Sequence, residues 1–456
     1  MNLDQDLIDK IDKKAKEIED KIIQYRRELH KNPELGLAEN ETSKFIKKEL
    51  KDIGIPIEEN LYGRKEIKEE LDKLGEKIQG DHKSTGLVGI LEGSQNGKTV
   101  LLRSDMDALK VTESKNEEHL PAKKDFRSRN EGIMHACGHD GHTAMLLGAA
   151  KALSEIKDQI KGRVKLIFQP AEEVVQGAAK MVEEGVLKDV DGIIIGIDEF
   201  DSDVIDRAEN LKVISKYGTG LDNIDVDYAS KNEIPITKTP TANIDAVADL
   251  TFGLIINLAR RISEADRKMR NDKWQKIIGN SVWKKKLGVI GLGKIGKQVV
   301  KRAKGFNMKT QVYDVNKDEE FAEKYGIDYV SLNKLFQDSD YITIHTPLTE
   351  KTRDLISGEE LKLMKDTSFI VNTSRGGIIN EKALYKALKN NQIAGAALDA
   401  FVNEPPKDNK FKEFDNVILT PHIGGYTDEA IEKMGVQAAR NLIAILEGRE
   451  PGFRVN

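Results

Sequence analysis

The stretch L-G-V-I-G-L-G-K-I-G-K-Q-V-V-K-R-A, residues 287–303, decides how the chain is read. A short apolar strand runs into the glycines Gly291, Gly293 and Gly296 and then into a helix-forming run. Glycines at those intervals permit a tight turn, close approach of the backbone to a pyrophosphate, and packing of helix on strand, with phosphates resting on the helix N-terminus. A glycine-rich turn that binds nothing is the plainer alternative. Asp314 weighs against it, because it closes the next apolar stretch at the distance where a carboxylate accepts ribose hydroxyls. The same carboxylate repels a 2′-phosphate, so NAD is expected rather than NADP.

Downstream, short apolar runs at 310–313, 341–346, 369–372, 395–398 and 417–419 alternate with helical stretches. With 287–290 they predict an α/β fold, a Rossmann-type doubly wound parallel sheet. Upstream, a long apolar helix is expected from Ile244 to about Arg261, and a last helix over 428–446. Nearer the amino terminus the periodicity predicts an amphipathic helix over 3–30 and a solvated charged helix over 65–76. It also predicts strands at 87–91, 99–103, 164–168, 193–197 and 211–215, with helices over 142–153, after Gly177 and before Asn210.

At 456 residues the chain has room for about three domains of ~150 residues. Lys+Arg 72 against Asp+Glu 77 leaves a formal net charge of −5, so no global basic field points to nucleic acid or to an anionic membrane. No apolar run approaches the ~18 residues of a spanning helix. The single cysteine, Cys137, excludes an intrachain disulfide, and the opening M-N-L-D-Q-D lacks a secretory pattern. A cytoplasmic protein is the expectation.

Arg375, Glu404 and His422 fall at the carboxyl ends of strands, where open α/β sheets place their ligands. A planar Arg clamps a carboxylate, a His exchanges a proton with a hydroxyl, and a Glu orients and charge-stabilises that His. Singly, each also reads as an ordinary loop residue. The surrounding phrases N-T-S-R-G-G, A-G-A-A-L-D-A-F-V-N-E-P and T-P-H-I-G-G-Y-T resemble the D-isomer-specific 2-hydroxyacid dehydrogenases over about 191–456, and the phosphoglycerate enzymes among them most. The resemblance implies that Arg375 binds the substrate carboxylate, His422 is the acid/base and Glu404 its partner. It gives Asp399 the nicotinamide carboxamide. Gly291, Gly293, Lys294, Ile295, Gly296, Asp314, Thr346, Pro347 and Thr373 complete the expected cofactor set.

K-Y-G-T-G-L-D-N-I-D, from Lys216 to Asp225, looks like the family's substrate loop, with Gly218, Thr219 and Gly220 offering amides to the same carboxylate. The implied reaction is hydride transfer between nicotinamide and C2 of a D-2-hydroxy acid, His422 exchanging the hydroxyl proton. The general wording puts 3-phosphoglycerate first. However, Gly196 and Ile197 stand where phosphoglycerate enzymes carry an Arg-Ser pair, which leaves glycerate, lactate or another 2-hydroxy acid open. A homodimer with the helix from Ile244 at its interface is also implied.

In the amino-terminal part, H-A-C-G-H-D-G-H at 135–142 and the later F-Q-P-A-E-E bring together thiolate, imidazole and carboxylate types suited to zinc or manganese. A capped helix start with a buried thiol is the alternative. Together with R-R-E-L-H-K-N-P-E-L-G, S-T-G-L-V-G and L-R-S-D-M-D-A-L, the segment resembles the metal-dependent amidohydrolases, including aminoacylases and auxin-conjugate hydrolases, over about 15–192. Cys137, His139 and Glu173 then match metal ligands and Glu172 the general base, with Asp105 and Asp107 at a strand end. The likeness is truncated: Asp198 replaces an expected ligand His, and the final ligand, the remaining strands and the lid domain have no counterpart.

The expected domains are therefore an amidohydrolase-like α/β segment at 1–190, a partial flavodoxin-like substrate domain at 191–240, the NAD-binding domain at 241–425, and a returning C-terminal helix at 426–456. Strands of the first segment, such as 164–168, either complete a composite sheet with the second or fold apart from it. The reading is an NAD-dependent oxidoreductase of a small 2-hydroxy or 2-oxo acid. The alternatives are a metal-dependent hydrolase of N-acyl conjugates, and a fusion inactive in one or both halves.

Overall fold

A computed structural model describes residues 5–58, 85–174, 177–196 and 198–456. The charged helix expected over 65–76, and Ile197, lie outside the described residues. The chain divides into two compact units: Met1–Lys238 with Ala438–Asn456, and Thr239–Gln437.

The first unit is built on β1 (Ile57–Glu58), β2 (Leu87–Glu92), β3 (Gln95–Asp105), β4 (Lys161–Gln169), β5 (Gly192–Ile195), β6 (Val213–Lys216) and β7 (Ile236–Thr237). They form one sheet in the order β1-β2-β4-β3-β5-β6-β7. The β1–β2 and β2–β4 pairs are antiparallel and the others parallel. A composite sheet therefore exists and includes 164–168, and the strand that joins its halves is β3. Those residues lie in β4, whose two edges are already paired with β2 and β3, so the remaining edge of β3 receives β5 at Val100 and Gly192. The core is shared likewise: Val88 and Ile167 pack in one cluster with Ile195, Ile214 and Ile236.

Asp191, just ahead of β5, fastens this junction. Its N–H donates to Thr99 O at 3.0 Å, and its carboxylate accepts Thr99 N–H at 2.8 Å. The Lys212 ammonium pairs with the same carboxylate, and Lys98 Nζ lies 3.5 Å away. Burial alone would raise this carboxyl, but hydrogen bonds from Lys212 and Thr99 hold it below the usual carboxylate range. A depressed native pKa means the stabilisation is complete above the unfolded value and fades as pH falls through the folded one. Asp191→Ala should thus cost roughly 1–3 kcal/mol by chemical denaturation at neutral pH. The gap to wild type should narrow below about pH 4.

The other edge is closed by the chain's last residues. Val455 N–H donates to Ile236 O at 2.8 Å and Lys238 N–H to Phe453 O at 3.1 Å. The helix Asp428–Leu446 ends in this unit. Gly192 there makes room for Leu442, whose side chain would come within 3.2 Å of a Cβ. The single amphipathic helix expected over 3–30 is two helices, Gln5–Glu17 and Glu19–Lys31, parted at Ile18, whose side chain is buried.

The second unit holds β8 (Lys286–Ile290), β9 (Lys309–Tyr313), β10 (Ile327–Tyr329), β11 (Tyr341–Ile344), β12 (Phe369–Asn372), β13 (Gly395–Leu398) and β14 (Val417–Leu419). Their order is β10-β9-β8-β11-β12-β13-β14, with every pair parallel. Central strands such as β11 and β12 are buried throughout, as a sheet covered on both faces requires. One face packs Val289 and Val371 against Phe252 and Ile255 of helix Ile244–Arg260 and Val299 and Val300 of helix Lys294–Gly305. The opposite face packs Ile290, Ile342 and Ile370 against Leu335, Leu361 and Leu384. Strand order reverses between β8 and β11, so a crevice opens at their carboxyl ends, which is where ligands bind in such sheets. No helix among the described residues is long and apolar enough to cross a membrane.

Candidate functional site

The glycine turn sits at that reversal. Gly291 adopts φ +95°, and a Cβ there would lie 2.6 Å from His345 O, so only glycine fits between β8 and β11. A Cβ on Gly296 would lie 2.2 Å from Gly291 O, which fixes the close packing of helix Lys294–Gly305 on the turn. Gly293 faces open space instead. That bare stretch of backbone at a helix N-terminus is the cradle a pyrophosphate needs. Asp314, just past β9, accepts Leu292 N–H at 2.5 Å and Asn316 N–H at 2.8 Å, which holds its carboxylate beside the turn. These residues fit NAD.

The remaining expected cofactor residues are placed less uniformly. Lys294 opens the helix, whereas Ile295 packs partly into the core behind it. Thr346 and Pro347 follow β11, and the Thr346 carbonyl accepts the Ser374 hydroxyl at 2.5 Å. Thr373 is buried with its hydroxyl 2.7 Å from that of Thr251.

At the end of β12, Asn372 shapes the turn that presents Arg375. Its amide accepts Ser374 N–H at 3.0 Å and donates to Arg375 O at 2.8 Å. Beyond β13, Glu404 Oε1 accepts Phe401 N–H at 2.9 Å, while Oε2 lies 2.6 Å from His422 Nδ1. A carboxylate only accepts, so Nδ1 carries the proton in that bond and Nε2 is the nitrogen that can exchange one. His422 itself has φ +52°. Its loop is held by Asp399, which accepts Thr420 Oγ1–H at 2.7 Å, Ile423 N–H at 2.8 Å and Gly424 N–H at 2.9 Å. Sequence reasoning gave Asp399 only a cofactor contact and missed this anchoring.

It also passed over His345, in the H-T-P phrase after β11. Desolvation pulls that imidazole down to about 3, and its Nε2 lies 2.9 Å from Thr343 Oγ1. His345 and His422 are the histidines of residues 239–437.

The expected substrate loop follows β6 in the first unit. Gly218 has φ +121°. The Lys216 ammonium donates to Gly196 O and, at 2.6 Å, to Asn223 Oδ1. Asn223 Nδ2 donates to Asp198 O at 2.5 Å, which ties the loop to the segment after β5.

The amino-terminal cluster is also brought together within that unit. Cys137, His139 and Glu173 each offer a ligand atom, all within 4.8 Å of one another, and so do Asp105, His139 and His142. His139 opens helix His139–Ser154 and its Nδ1 bonds Asp107 O at 3.0 Å, leaving Nε2 toward the cluster, 3.6 Å from Glu172 Oε2. Asp107 is fully buried, and its Oδ1 lies 3.2 Å from the same His139 Nδ1. Asp198 belongs to neither ligand group and lies 3.4 Å from Arg103 Nη1.

A dinucleotide turn at a switch point, with an Arg and a Glu-supported His at the same edge of the sheet, defines a nicotinamide-dependent dehydrogenase. Residues 252–424 match the family model described as the D-isomer specific 2-hydroxyacid dehydrogenase NAD binding domain. A glyoxylate reductase of Korarchaeum cryptofilum is 41% identical over 285 residues, which covers 61% of this chain and 86% of that protein. A D-3-phosphoglycerate dehydrogenase of Methanocaldococcus jannaschii is 43% identical over 290 residues, 62% of this chain and 55% of that protein. The crystal structure of D-lactate dehydrogenase from Aquifex aeolicus, complexed with NAD and lactic acid, superposes with a TM-score of 0.54 at 31% identity, covering 58% of this chain and 85% of that one. The chain belongs to the D-isomer specific 2-hydroxyacid dehydrogenase family.

Proposed function

We propose that the chain interconverts a small 2-oxo acid and its D-2-hydroxy acid through Arg375, Glu404 and His422. The observation that carries this is the 2.6 Å contact between Glu404 Oε2 and His422 Nδ1 at the carboxyl edge of the dinucleotide sheet. NAD, when bound, supplies or accepts the hydride. Arg375 clamps the substrate carboxylate and polarises the neighbouring oxo group. His422 donates a proton from Nε2 to the oxo oxygen in reduction and takes it back in oxidation. Glu404 keeps the imidazole in the tautomer that does this and stabilises its charged form.

Gly291, Gly293, Lys294, Ile295 and Gly296 hold the pyrophosphate through backbone N–H groups, and Asp314 takes the ribose hydroxyls. Thr346, Pro347, Thr373 and Asp399 border the nicotinamide end. Gly218, Thr219 and Gly220 offer amides to the substrate carboxylate. The same reading keeps the sequence segments 1–190, 191–240, 241–425 and 426–456.

Among substrates, we place an unphosphorylated acid of the glyoxylate or lactate kind ahead of 3-phosphoglycerate. Gly196 and Ile197 stand where phosphoglycerate enzymes carry an Arg-Ser pair, so the cation that pairs with a phosphate there is lacking in this segment. The assay is NADH oxidation across glyoxylate, pyruvate, hydroxypyruvate and 3-phosphohydroxypyruvate. A kcat/KM highest for the phosphorylated acid overturns this ranking, and turnover of none of them overturns the activity. A homodimer through the second unit is supported by Ile262, Met269, Trp274 and Ile278, which leave a large apolar surface exposed.

A second reading concerns the amino-terminal cluster. Cys137, His139 and Glu173 would hold zinc or manganese, with Glu172 as base toward a bound water, as in the amidohydrolases this segment resembles. The ligand atoms within 4.8 Å of one another favour it. Purified protein free of divalent metal, with a Tm indifferent to chelator and to added zinc, would remove it.

A further inference from the structure

The peptide group between Phe401 and Val402 is gripped by the loop that carries Arg375. A Cβ on Gly376 would lie 2.0 Å from the Phe401 carbonyl carbon and oxygen and 2.4 Å from Val402 N, all backbone atoms with no side-chain freedom to yield. Glu381, the first residue of helix Glu381–Lys389, accepts Val402 N–H at 2.8 Å. On its other side the same residue pair leads directly to the acid partner, because Phe401 N–H donates to Glu404 Oε1 at 2.9 Å. The Phe401 ring is buried in the core, so this backbone has nowhere to retreat.

We propose that Gly376 and Glu381 are positioning residues: they register the Glu404 carboxylate against His422 and against the Arg375 turn through the Phe401–Val402 peptide. Neither touches substrate or cofactor. Gly376 acts by lacking a side chain, and Glu381 by supplying one acceptor oxygen. The inference rests on the dehydrogenase reading of Arg375, Glu404 and His422, and goes beyond it in explaining what holds their relative geometry. A displacement of about 1 Å in such a constellation can cost on the order of 100-fold in rate.

The test is a set of three variants assayed as full-length protein with NADH and the best 2-oxo acid. Glu381→Ala and Gly376→Ala should lower kcat roughly ten- to a hundredfold while leaving the KM for NADH unchanged. Glu381→Gln keeps the acceptor and should restore kcat. If Gly376→Ala does not fold, the Glu381 pair still decides. A Glu381→Ala enzyme with a lower Tm but the kcat of wild type has lost only stability, and overturns the proposal. So does a Glu381→Gln enzyme as impaired as Glu381→Ala. A wild type without oxo-acid turnover overturns the parent reading and this one with it, so the two failures are told apart.

Discussion

His422→Ala should lower kcat for reduction of a 2-oxo acid by roughly 10²–10⁴-fold and leave NADH binding in place. No neighbouring imidazole can take over, since desolvation holds His345 at about 3 and so without a proton to give near neutrality. The dinucleotide turn at Gly291, Gly293 and Gly296 lies on a different strand end, which is why cofactor affinity, followed by NADH fluorescence, should survive. Arg375→Ala should show the same separation, with the loss falling mainly on kcat/KM for the oxo acid. An enzyme that keeps turnover without His422, or that loses NADH binding instead, would contradict the assignment.

The second large effect concerns the composite sheet. A fragment starting at residue 191 should be insoluble or keep native structure only over residues 239–437, whereas the intact chain should resist proteolytic separation near residues 185–200. Without β3 the outer edge of β5 is bare, and Ile195, Ile214 and Ile236 lose Val88 and Ile167 from their core. An exposed parallel edge over an opened apolar core favours aggregation. Two stable soluble fragments from limited proteolysis, each with native circular dichroism, would mean that the halves fold independently and that the β3–β5 pairing contributes little.

The second unit was largely legible in the sequence, because its fold rests on local signals. The strand at Lys286–Ile290, the turn glycines and Asp314 each announce themselves by type and spacing, and the helix Ile244–Arg260 matches its apolar run almost to the residue. The short edge strands Ile57–Glu58, Ile236–Thr237 and Ile327–Tyr329 did not, since two or three residues carry no period. The choice of β3 over β4 as partner of β5 was equally hidden. Parallel pairing depends on which edge is left unpaired after the other strands have assembled, and that is a property of the whole sheet.

The candidate site divides in the same way. Arg375, Glu404 and His422 were visible as residue types inside telling phrases. What sets their geometry was not: Asp399 reaches three donors of the His422 loop, and Glu381 works through the N–H of Val402. Both act on backbone groups, which a sequence does not distinguish from one residue to the next. Asp198, which stands where the amidohydrolases carry a ligand His, has its carboxylate beside Arg103.

The first unit is interrupted by the whole of the second and resumes only at Ala438. During synthesis the nucleotide-binding sheet can therefore close while the earlier one still waits for the residues that cover β7. At about 5–20 residues per second the intervening segment takes roughly 10–40 s to emerge. For that interval the older, composite sheet is an unfinished structure with an open edge. The unit begun before the nucleotide-binding sheet is thus completed after it.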